Sequence, residues 1–178
     1  AVATGAYVMK DVVPTSSPSM DIQISSNFER YLFEASGRDA DFICSSMSSL
    51  VATGRFELGR LWPRLKADFA AASASEADVA ACIKATKDRY GYVLDPHTAC
   101  ALVAAERIGG GGETVVLATA HPAKFPDAIE AITGTRPGLP NRLAHLMSDP
   151  ERVETLSNSL SAVQDFVLKR CRVTSRTT

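Results

Sequence analysis

Apolar residues recur at helical spacing through most of this chain, broken by short apolar runs and turn-forming clusters. Phe28, Leu32 and Phe33 share one face of a segment predicted to open at Ser26, where Ser26 and Glu29 have the spacing of a capping box, and to stop by Gly37. A second helix is predicted from about Asp39 to Gly54, with Ile43, Met47, Leu50 and Val51 in register. Leu58, Leu61, Trp62, Leu65 and Phe69 repeat the pattern, and Pro63 fits only in the first turn of that helix. Ser75 is placed to cap a further helix whose inward residues are Val79, Cys82, Ile83 and Thr86. From His97 to Ile108 the chain is dense in alanine, which permits close helix packing. Pro126 marks another helix start, and residues 141–147 read as a short helix. Asp149-Pro150 is expected to open a long helix to about Arg170, with Val153, Leu156, Leu160, Val163 and Val167 on one stripe.

The interruptions read as short strands. Val12-Val13 and Ile22-Gln23-Ile24 are separated by the turn-forming residues 14–19, and Tyr92-Val93-Leu94 is stopped by Asp95-Pro96. Thr114-Val115-Val116-Leu117-Ala118 is the clearest candidate for a buried strand. Strands alternating with helices predict a helix-rich α/β fold with a parallel sheet. Three or four short strands are too few for this many helices, so the sheet is expected to be incomplete. No internal repeat, low-complexity tract or linker divides the chain, and residues 1–178 are expected to form one portion of a domain.

Composition narrows the function classes. Of the 178 residues 46% are hydrophobic and 22% charged, the profile of an ordinary globular protein. The 19 basic and 20 acidic residues leave a net charge of -1, which offers no footprint for nucleic acid and no basic face for a membrane. No apolar run approaches the roughly 20 residues that span a bilayer. Cys44, Cys82, Cys100 and Cys171 are widely spaced without a CxxC pair, so neither a disulfide framework nor a metal site is indicated, and a reducing cytoplasmic setting is expected. Ala1 is not an initiator methionine and residues 1–10 lack the features of a signal peptide. A chain opening inside an apolar segment suggests cropping, although a processed terminus would look the same. Residues 171–178 are polar and basic and are expected to form a flexible tail.

Several residues are candidates for chemistry. The glycines at 109–112 precede a predicted strand, whereas a nucleotide cradle follows one, so they read as a helix stop. His97 is read as structural, with a general base as the alternative; His145 is read as a surface or packing residue. Ser25, Ser26 and Asn27 stand at a predicted helix N-terminus with Arg30 one turn on, an arrangement that suits either an anion or simple capping. Thr119, followed by Ala120, His121 and Pro122, stands directly after the predicted strand at 114–118. Ligands of parallel α/β sheets gather beyond such strand ends, yet a hydroxyl there can also merely end the strand.

At this point three stretches carry a resemblance. Pro18-Ser19-Met20-Asp21-Ile22-Gln23-Ile24-Ser25-Ser26-Asn27-Phe28-Glu29-Arg30 is similar to the signature of the threonine synthase family. Gly91-Tyr92-Val93-Leu94-Asp95-Pro96-His97-Thr98-Ala99 resembles the same family, as does Leu117-Ala118-Thr119-Ala120-His121-Pro122-Ala123-Lys124-Phe125-Pro126, in the family's order. The resemblance covers residues 4 to 166.

It implies the C-terminal part of the fold-type II (tryptophan synthase β-like) fold of enzymes that use pyridoxal 5'-phosphate. The activity implied is a carbon-oxygen lyase acting on phosphate, converting O-phospho-L-homoserine and water to L-threonine and phosphate, with the cofactor as electron sink. In the family the Schiff-base lysine and the glycine-rich loop for the cofactor phosphate lie upstream of the 18–30 signature. The resemblance therefore implies no catalytic residue in this chain, an N-terminal portion of the same protein as partner, and inactivity of the chain alone. Lys124 belongs to the third match and not to the Schiff-base motif. By position Thr119 matches the residue facing the pyridine nitrogen, with His121 a weaker cofactor contact. Ser25, Ser26, Asn27 and Arg30 fall near the substrate or the active-site wall. The alternative is a non-catalytic α/β module, derived from such an enzyme, that binds a small ligand or another chain.

Overall fold

The computed structural model describes residues 1–110 and 112–171. These divide after residue 138 into two compact units.

The first unit has two hydrophobic centres. Around the first, strand β1 (Ala6–Val8) leads through a long irregular segment to helix α1 (Ser26–Ala35), helix α2 (Ala40–Thr53) and strand β2 (Arg55–Glu57). A 3-10 turn at Gly59–Leu61 runs directly into helix α3 (Trp62–Asp68), with Pro63 in its first turn as predicted. Helix α2 has the predicted limits. Asp39 caps it by accepting the Phe42 amide, and Gly54, at φ 72°, ends it in the left-handed conformation that glycine tolerates. That turn delivers the chain straight into β2, which pairs antiparallel with β1, Tyr7 opposite Phe56. Their rings stack with centroids 5.4 Å apart. Leu32, Leu50, Leu58 and Leu65 are the buried heart of this centre.

The second centre joins helix α4 (Glu76–Tyr90), helix α5 (Pro96–Ile108) and helix α6 (Pro126–Thr133). Val79 and Ile83 of α4 meet Leu94, Ala99 of α5 and Ile129 of α6. Ala99 is fully buried, which fits the alanine-rich face as a close-packing surface. Ser75 and Asp78 form a reciprocal capping box at the start of α4. The irregular segment before α1 is tied here as well: the Ser16 amide donates to Glu76 and the buried Ser17 hydroxyl lies 3.8 Å from Cys100 Sγ.

In the second unit, a 3-10 helix at Asn141–Met147 is followed by an irregular stretch and helix α7 (Leu160–Arg170).

The helix-rich α/β class stands, but its strands fall elsewhere. Among the described residues the one sheet is the antiparallel β1–β2 pair, and no parallel pairing occurs. Val12-Val13, Ile22-Gln23-Ile24, Tyr92-Val93-Leu94 and residues 114–118 form no strand. Val115 and Leu117 are 85% and 71% exposed. An extended apolar run becomes a strand only when another backbone satisfies its N–H and C=O groups, and none does so here. Two helix starts also move. Ser25, not Ser26, is the N-cap of α1, and the expected Ser26–Glu29 capping box does not form because Ser26 is already helical. The long helix from Asp149-Pro150 begins only at Leu160. Ser157, Asn158 and Ser159 precede it, and the Ser159 amide donates to the Ser157 carbonyl, a local alternative to the helical ladder. The predicted tail at 171–178 lies outside the described residues apart from Cys171.

No described helix is long and apolar enough to cross a membrane.

Candidate functional site

Two groups of residues stand out, built on different helices. The first surrounds the N-terminus of α5. Asp95 is 2% exposed and caps the helix: its Oδ1 accepts the amides of His97 (2.9 Å) and Thr98 (3.2 Å). The Thr98 hydroxyl donates to the other oxygen, Oδ2. That same hydroxyl oxygen accepts the backbone amide of Thr119 at 3.3 Å, across 21 residues of sequence. The chain at 119 is thus held against the start of α5 by its backbone. The Thr119 side chain is exposed, and its hydroxyl makes no hydrogen bond among the described residues.

His121 stands just beyond. Its Nδ1 accepts the amide of Ala123 at 3.1 Å and so caps the 3-10 turn Pro122–Lys124. That assigns the ring proton of a neutral His121 to Nε2. Lys124 ends the same turn with an exposed side chain. Behind this loop His97 is buried, with Phe125 packed on it at 4.8 Å between ring centroids. Its Nδ1 approaches Asp95 Oδ1 to 3.3 Å, but outside hydrogen-bonding geometry, and neither ring nitrogen has a hydrogen-bond partner among the described residues. A buried ring packed on a neighbour fits the structural reading of His97. Gly109 ends α5, its amide donating to Ala105, as a helix stop should. Gly111 lies outside the described residues. In the second unit, His145 is a surface residue 3.7 Å from Asp149.

The second group opens α1. The carbonyl of Ser25 accepts the amides of Phe28 and Glu29, while its side chain makes no capping bond. Ser26, Asn27 and Arg30 are exposed. Simple side-chain capping therefore does not account for these residues. Ser26 and Arg30 line a groove of about 460 Å³ with Glu29, Phe33, Glu34 and Ile43. Ser25 lines a different one with Tyr7, Lys10 and Phe28. No described hydrogen bond or ion pair joins Thr119 or His121 to the residues of this group. Among the described residues no cluster of three or more His, Cys, Asp or Glu could hold a metal ion.

Sequence reasoning passed over Asp95 and Thr98, having read Asp95-Pro96 as the end of a strand. The signal was available: aspartate before a proline at the first helical position, with threonine three residues after the aspartate, is a helix-opening pattern.

Comparison with known proteins gives these positions a context. The family described as "Threonine synthase, C-terminal" matches residues 98–167, a stretch that begins at Thr98 and contains Thr119 and His121. The threonine synthase of Methylobacillus glycogenes is 41% identical over 159 residues, which are 87% of this chain and 34% of that protein. Among solved structures, PLP bound threonine synthase from Brucella melitensis superposes with a TM-score of 0.83 at 43% identity, over 96% of this chain and 37% of that one. The yeast threonine synthase does so with a TM-score of 0.75 at 26% identity, over 93% of this chain and 38% of that one. The chain thus spans about a third of the length of the curated relatives it matches. Nearly all of the chain fits the threonine synthase fold, and its residues 98–167 belong to the threonine synthase C-terminal family.

Proposed function

We propose that this chain is the C-terminal portion of a threonine synthase that converts O-phospho-L-homoserine and water to L-threonine and phosphate with pyridoxal 5'-phosphate. The observation that carries the proposal is the fit of almost the whole chain to a relative described as PLP bound.

The residues present suit the cofactor. Thr119 offers a neutral hydroxyl with no hydrogen-bond partner among the described residues, on a backbone held in place by Thr98. Such a hydroxyl can hydrogen-bond a pyridine nitrogen without a carboxylate's bias toward the protonated ring, and so moderates electron withdrawal. His121, with Nδ1 occupied by the Ala123 amide, is left with its Nε2 side for a second contact. The cofactor, when bound, supplies the electron sink for carbanion chemistry. At the start of α1, side chains not spent on capping and the unpaired first amides of the helix suit the phosphate of the substrate. Arg30 supplies a positive charge there. In this reading Ser25, Ser26, Asn27 and Arg30 bind and orient substrate or wall the site, and Thr119 and His121 hold the cofactor ring.

The lysine that carries the cofactor belongs to an N-terminal portion of the same protein in a cytoplasmic enzyme, and the chain by itself is inactive. The exposed apolar segment at 114–118 supports this, because Val115 and Leu117 are available to a strand from that portion. The test is to incubate the chain with pyridoxal 5'-phosphate and O-phospho-L-homoserine, alone and joined to a threonine synthase N-terminal portion. Phosphate release is expected only from the joined protein. Release by the chain alone, or by neither, refutes the reading.

A further inference from the structure

Thr119 can meet a ligand reproducibly only if its backbone is fixed, and its own segment provides no fixation. Residues 113–119 form neither helix nor strand among the described residues. What holds the position is a hydrogen bond from the Thr119 amide to Thr98 Oγ1 at 3.3 Å. The polarity of that bond is set one step deeper. A threonine hydroxyl has one proton, and here it goes to Asp95 Oδ2, so a lone pair is left to accept the Thr119 N–H. Asp95 is fixed in turn by the amides of His97 and Thr98, and both Asp95 and Thr98 are buried. Capping α5 requires only the link between Asp95 and the helix. The second bond of the Thr98 hydroxyl, reaching 21 residues along the chain, adds nothing to the cap.

We propose that Thr98, oriented by Asp95, is the positioning residue for Thr119, setting where the Thr119 hydroxyl stands. Its consequence for the cofactor rests on the placement of Thr119 at the cofactor ring proposed above; the tether itself does not. Valine at 98 keeps the shape and removes both the donor and the acceptor. Serine keeps both.

The experiment is residue-resolved amide hydrogen exchange on the 178-residue chain, with the Ala99 amide, which donates to the Asp95 carbonyl at 3.0 Å, as an internal control for α5. In the unaltered chain the Thr119 amide should be protected; an unprotected rate there overturns the proposal without any variant. Thr98→Val should speed Thr119 exchange about tenfold while Ala99 changes far less, and Thr98→Ser should restore protection. Equal acceleration at both amides, or none at Thr119, overturns it. In the joined enzyme, Thr98→Val should shift the absorbance of the bound cofactor in the same direction as Thr119→Val, and Thr98→Ser should not. A protected Thr119 amide with an absorbance that neither valine variant alters would refute the cofactor placement and leave the tether standing.

Discussion

A threonine whose amide is tethered and whose hydroxyl is free separates two jobs in one residue. Position comes from the backbone, and in the proposed reading the ligand contact comes from the side chain. In the joined enzyme Thr119→Val should therefore leave the fold intact, since shape is kept, and weaken cofactor binding about three- to tenfold, the worth of one hydrogen bond. Titration of the absorbance against cofactor concentration checks this, and unchanged affinity would remove Thr119 from the site. At this scale the sequence was informative in proportion to how local the cause was. Thr119 was singled out because its neighbours follow a family pattern. The tether from Thr119 to Thr98 was not legible, because the two lie 21 residues apart and no periodicity encodes that contact.

Among the helices, α4 shows how much a cap governs. Asp78 is held down to about 2 from 3.8, chiefly by hydrogen bonds from the Ser75 hydroxyl and amide, with Arg107 assisting. Because the folded value lies below the ordinary one, the stabilisation it brings is complete above about pH 4 and is lost as the pH falls toward 2. Circular dichroism should show helix loss across that window, and Ser75→Ala should flatten the pH dependence while lowering helicity at pH 7. The caps of α2 and α4 and the glycine that ends α2 were legible because each is written in three or four adjacent residues. The strands were not. Residues 114–118 have strand composition without a partner, while Ala6–Val8 and Arg55–Glu57 pair because Gly54 turns the chain back and the Tyr7 and Phe56 rings stack. Pairing is decided by the other backbone, and single-strand patterning cannot report it.

At the level of the whole molecule, the first unit is two separate hydrophobic centres rather than one, and many apolar side chains lie outside both. Val13, Val115 and Leu117 are each more than 70% exposed. The 178-residue chain is therefore expected to bind a hydrophobic dye and to associate as its concentration rises, and joining it to the N-terminal portion should reduce both. A dye-silent monomer at all concentrations would show that these side chains need no cover. The helix-rich character was legible from the apolar periodicity, whereas the strands whose alternation suggested an α/β class lie elsewhere in the chain. The division into two centres was not legible, since it depends on which helices meet.

Trp62, in the first turn of α3, has a consequence for measurement. It is the single tryptophan of the chain, its indole N–H donates to the Val2 carbonyl at 2.9 Å, and Lys66 lies over the ring. Gly5 adopts φ +73° against it, where a Cβ would come within 2.8 Å of the ring. Its fluorescence is thus a built-in optical gauge with one address. A change in emission colour reads whether residues 2 to 5 are seated on α3, and it is blind to the helices around Thr119. Unfolding followed by tryptophan emission and unfolding followed by circular dichroism should then give two different midpoints wherever the two hydrophobic centres melt separately, and one midpoint wherever they melt together.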